Sequence, residues 1–99
     1  METPVDAVEA CADYRAEQAW HDYRHAVERD CDVAHTARIY LAREAELSAI
    51  KNESVHIDLG DATLEREAIA MSSGYAIGDY QLVAWGEIAG RAWQLRLSR

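Results

Sequence analysis

The sequence predicts an α+β domain in which two N-terminal helices pack on a C-terminal antiparallel β-meander. Two observations carry this. Up to about residue 50 the apolar residues recur at steps of three and four, the period of a helix with one buried face. From residue 55 they alternate singly with polar residues, the period of a half-buried strand. A chain of 99 residues is the size of one domain, so the prediction is a single unit over residues 1–99.

The first helix is expected over about 4–29. Pro4 suits a first helical position, where its missing N–H costs nothing, and Thr3 can cap it. Val5, Val8, Ala12, Ala16, Ala19, Tyr23 and Ala26 share one face. Asp30-Cys31-Asp32 interrupts the pattern, and either aspartate can accept from the free amides of a second helix. That helix is expected over about 33–50, with Val33, Ala37, Tyr40, Leu41 and Leu47 inward. One continuous helix over 4–50 would have nowhere to bury its apolar side, which favours an antiparallel pair.

The sheet is expected over about 54–98. Val55, Ile57 and Leu59 alternate with His56 and Asp58, giving a strand at 55–59. Gly60-Asp61 reads as a hairpin turn that sets Ile57 opposite Leu64. Residues 62–73 are ambiguous. Leu64–Met71 has helix propensity and Gly74 suits a helix end, but the turn argues for a strand, which is the expectation adopted. A second Gly-Asp turn at Gly78-Asp79 would pair Ile77 with Tyr80 and Tyr75 with Leu82, leading into a strand at 80–85. Gly90 stands where a turn is needed before a last strand at 92–97, in which Trp93, Leu95 and Leu97 alternate with Gln94, Arg96 and Ser98.

Composition narrows the function. Eighteen acids against ten Lys and Arg leave a net charge of -8. Residues 1–32 hold nine of the acids and three of the bases, so most of the excess lies in the first third. That field repels nucleic acid and anionic membrane and attracts basic protein surfaces. No apolar run is long enough to span a membrane, and the first residues lack the basic and apolar regions of a signal peptide. Cys11 and Cys31 form no CxxC pair and no zinc spacing, which suits free thiols in a reducing cytoplasm. The chain has no Phe, so three Trp and five Tyr must supply the aromatic packing.

The clearest pattern is an acidic stripe. Glu2, Asp6, Glu9, Asp13 and Glu17 follow at steps of four, three, four and four. On a helix they fall within an arc of roughly 80° and a length of roughly 22 Å. The spacing of such carboxylates, about 5–6 Å, is similar to that of successive phosphates, and suits a basic groove on a partner. Trp20, at the end of the stripe, completes the predicted partner-binding set. His21 and His25 are spaced to share a metal on one helix face, but Asp22 stands where an HExxH motif needs Glu, so no metal and no cofactor is assigned. Ser72-Ser73-Gly74 is not a nucleophile elbow, and no basic cluster suits nucleic acid.

The expectation is therefore a cytoplasmic, non-enzymatic inhibitor or regulator that occupies the basic surface of a nucleic-acid-binding protein. In size, acidity and aromatic content alone the chain is similar to small phage inhibitors of host nucleic-acid enzymes. A homodimer or adaptor acting through its apolar helix or Trp surfaces is the second candidate. An enzyme using His21 and His25 with a metal is the third.

Overall fold

The computed structural model describes residues 4–99, and side-chain surroundings from residue 7 onward. Helix α1 covers Pro4–Arg29 and helix α2 covers Val33–Lys51. Strand β1 is Val55–Ile57, helix α3 is Ala62–Met71, and strands β2, β3 and β4 are Gly74–Ile77, Gln81–Ile88 and Arg91–Ser98. The fold is α+β, as the change of hydrophobic period predicts.

The break between α1 and α2 falls where the aspartates place it, by a different mechanism. Asp30 adopts the left-handed conformation at φ 52°. Its N–H donates to the Val27 carbonyl at 3.2 Å, and the Cys31 N–H donates to Ala26 at 3.1 Å. These are the two bonds of a Schellman ending, with aspartate in place of the usual glycine. Asp32 is also left-handed and caps α2 without any side-chain hydrogen bond. The expected carboxylate cap is therefore absent. Thr36 instead donates through its hydroxyl to the Asp32 carbonyl at 2.9 Å.

The sheet order is β1-β4-β3-β2. β2, β3 and β4 form the antiparallel meander, but β1 lies parallel to β4, with Val55 beside Leu95 and Ile57 beside Leu97. This corrects the expected hairpin at Gly60-Asp61. The Gly60 N–H donates to the Ser98 carbonyl at 2.7 Å, and a Cβ on Gly60 would stand 2.8 Å from that of Leu97. Glycine serves close packing on β4 here. Asp61 is the cap of α3, its Oδ1 accepting from the Leu64 N–H at 2.9 Å. The expected strand over 62–73 is thus mostly helix, because a side-chain cap was available and the parallel β1–β4 pairing left no strand partner for it.

Of the other two turns, the one near Gly78 is displaced and the one at Gly90 falls where expected. Ile77 pairs with Leu82 and Tyr75 with Ala84, so the turn residues are Asp79 and Tyr80, one place further along than expected, and each strand partner shifts by two. Ala89 and Gly90 both have positive φ, the signature of a type I′ turn, between Ile88 and Arg91.

Helices cover one side of the sheet. Leu82 and Ala84 of β3 and Trp93, Leu95 and Leu97 of β4 point to that side and are buried, with Ile57 and with Leu41, Leu64 and Ala68 of the helices. α2 is the central layer, packed on α1, α3 and the sheet. Ala12, Ala16, Ala19, Tyr23 and Ala26 are buried on the predicted face of α1, whereas Val8 is exposed. Small alanines let α1 lie close on α2. Ser48 pins the far end of α2 to the sheet: its hydroxyl accepts from the Gln94 N–H at 2.9 Å and donates to the Glu53 carbonyl. It thereby satisfies part of β4 that extends beyond the end of β1.

Candidate functional site

The acidic flank of α1 lies beside its buried face. Asp13 and Glu17 are exposed and Glu9 is half-buried. Among the described residues none of the three is held in an ion pair. Glu2 lies outside the described residues, and so does the side chain of Asp6. One helical turn separates Glu9 from Asp13 and Asp13 from Glu17, an axial rise of about 6 Å each.

Trp20 continues the same flank and is half-buried. Its ring lies 5.1 Å from that of Tyr40 and 6.0 Å from that of Tyr23. Arg24 stands over it at 5.6 Å. The row of carboxylates therefore ends in a wedge of three aromatics with one guanidinium on top, a cation–π arrangement supplied from within the helix. Tyr23 donates to the Asp61 carboxylate and so ties α1 to the cap of α3. Burial, then the bond to Asp61 and its charge, push the Tyr23 hydroxyl well above the usual tyrosine range. Burial does the same for Tyr40, aided by the charges of Glu44 and Asp58.

These neighbours extend the acidic flank beyond α1. Glu44 of α2 is pushed up to about 7, first by burial and then by the charge of Asp13, with Lys51 acting in the opposite direction. Glu44 and Asp13 thus belong to one electrostatic group, although 31 residues separate them. The sequence spacing on α1 alone does not show this. The consequence for stability has a definite sign. A carboxyl with a higher pKa in the folded state favours folding while it is protonated, and this advantage is lost as pH rises from about 4.5 to about 7. Stability should fall over that window, opposite to the usual behaviour of a paired carboxylate. Glu44→Gln should flatten the profile and raise stability at pH 8 by roughly 1–2 kcal/mol, after allowance for solvent screening. Urea unfolding of both proteins at pH 5, 6, 7 and 8 checks it.

The remaining candidates do not assemble into a reactive site. His21 and His25 are both exposed on α1, and together with Trp20, Arg24 and Glu28 they line a shallow depression of about 290 Å³. Cys11 and Cys31 are free and exposed. Among the described residues no three His, Cys, Asp or Glu side chains are grouped as metal ligands.

Sequence reasoning missed a concavity of about 550 Å³ at the end of the sheet beside the last turn of α2. Its walls include Asn52, Glu53, Ser54, Trp85, Trp93 and Gln94. Ser54 and Gln94 are hydrogen-bonded to each other across it. No spacing rule joins residues 40 apart on a loop and a strand, so only the Trp pair could have pointed here. The two Trp residues have different roles. Trp93 is buried on the helix side over Gly86, and Trp85 is 41% exposed on the other side over Gly74.

No helix of the described chain is long and apolar enough to cross a membrane. No known protein family, no curated protein and no solved structure matches this chain.

Proposed function

We propose that the protein is a non-enzymatic, cytoplasmic binding protein whose acidic flank occupies the basic surface of a nucleic-acid-binding protein, as an inhibitor or regulator. The observation that carries this reading is the continuity of the flank. Asp13 on α1 lies close enough to Glu44 on α2 that its charge, after burial, helps push the Glu44 carboxyl up to about 7. Such crowding is unfavourable in the free protein. It is relieved by a cationic partner, and like charges at i,i+4 spacing give nothing to the helix itself. Glu46, Glu65 and Glu67 are all paired with arginines.

The test is the triple replacement Glu9→Gln, Asp13→Asn and Glu17→Gln, with a labelled oligo-arginine peptide as the basic probe. Wild-type affinity should fall at least about tenfold between about 50 mM and about 300 mM salt, as expected for exposed charges. The triple variant should bind at least about tenfold more weakly at low salt, mainly through slower association, and lose most of the salt dependence. Its folding should be unharmed or slightly strengthened, because repulsion within the helix is relieved. Equal, salt-insensitive binding by both proteins would exclude the reading.

A further inference from the structure

β2 is an edge strand, and among the described residues no backbone group pairs with its outer edge. The Gly78 N–H donates to the Gln81 carbonyl at 2.9 Å, making that pair hydrogen-bonded. Hydrogen-bonded and open pairs alternate along an antiparallel ladder, so the N–H and C=O groups of Tyr75 and Ile77 point away from β3. Natural edges are usually protected by lysine, proline or inward charge. Here Gly74–Ile77 has none of these. It lies within residues 68–78, the longest stretch without an acid, Lys or Arg in a chain that is 28% charged. The helix layer also stops short of it. Tyr75 and Ile77 share the helix-side face with Ala84 and Leu82, yet they are 48% and 56% exposed while their partners are fully buried.

We infer that this edge pairs with the same edge of a second copy of the chain, joining two four-stranded sheets into one. Charge selects the occupant. At a net charge of -8, two copies repel each other over most of their surfaces, and the uncharged edge is where they can meet. A basic partner would find its attraction on α1 instead. The edge is also self-complementary. An antiparallel pairing centred on Ala76 sets Tyr75 opposite Ile77 of the second copy, and the reverse, with four main-chain hydrogen bonds from the groups that now face outward. In that register Asp79 comes opposite Ser73, so no acid meets an acid. The two-fold axis stands perpendicular to the sheet and leaves both helix layers on one side. The bare helix-side faces of the two β2 strands then form one apolar floor.

Ile77→Lys places a protecting charge on the edge at an already exposed position. Sedimentation velocity should show the wild type as a dimer at about 100 µM and the variant as a monomer, with unchanged circular dichroism. The wild-type dimer should tighten several-fold from about 50 mM to about 500 mM salt, because screening weakens repulsion between like-charged copies. A wild type that stays monomeric at about 500 µM and high salt overturns the inference, as does a dimer that survives Ile77→Lys. The salt response is opposite in sign to that of the oligo-arginine test, so the two proposals fail separately.

Discussion

Gly86→Ala is expected to destabilise the protein by roughly 1–3 kcal/mol, the usual cost of forcing atoms into a packed core. Gly86 is buried in β3 directly opposite Trp93, and the indole lies flat over it. An added Cβ would stand 2.6 Å from one indole carbon and 2.7 Å from the next. Trp93 is only 4% exposed, so its ring cannot swing into solvent to make room. Gly74 provides the control. Its missing Cβ would meet Trp85 just as closely, at 2.7 Å, but Trp85 is on the uncovered face and can move. Gly74→Ala should therefore cost clearly less. Urea midpoints of the two variants test the difference, and equal losses would contradict this account of the two Trp–Gly pairs.

Leu95→Ala should cost more, about 3 kcal/mol within the range for buried leucine truncations. Leu95 has no exposed surface and lies at the centre of the sheet, between Ala84 of β3 and Val55 of β1. Two of its strand neighbours are thus held by their own ladders, and α2 lies across the strand. The cavity left by truncation can close little. Against a total of about 5–15 kcal/mol for a domain of this size, the loss takes roughly a fifth to three-fifths of the stability and should lower the urea midpoint in proportion. A loss below about 1 kcal/mol would show that the layer over β4 is looser than described.

The parts of the fold that were legible in the sequence are those fixed by local periodicity. Ala12 to Ala26, Ala37 to Leu47 and Trp93 to Leu97 bury the faces that their spacing implies. The parts that were not legible depend on choices between distant partners. Gly60-Asp61 has the composition of a hairpin turn, and nothing local reveals that Gly60 will pack on Leu97 or that Asp61 will cap a helix. The same limit applies to the acidic flank. Its α1 half follows from residue spacing, whereas Glu44 joins it only because α2 folds back on α1. The groove beside Ser54 and Gln94, and the open edge at Tyr75 and Ile77, arise from strand order, which no periodicity encodes.

If the acidic flank is a partner surface, amide chemical shifts perturbed by the oligo-arginine peptide should gather on α1 from Glu9 to Arg24 and on α2 around Glu44, and should vanish in the triple carboxylate variant. Shifts gathered instead around Ser54, Trp85 and Gln94, or spread evenly over every acidic residue, would contradict that role.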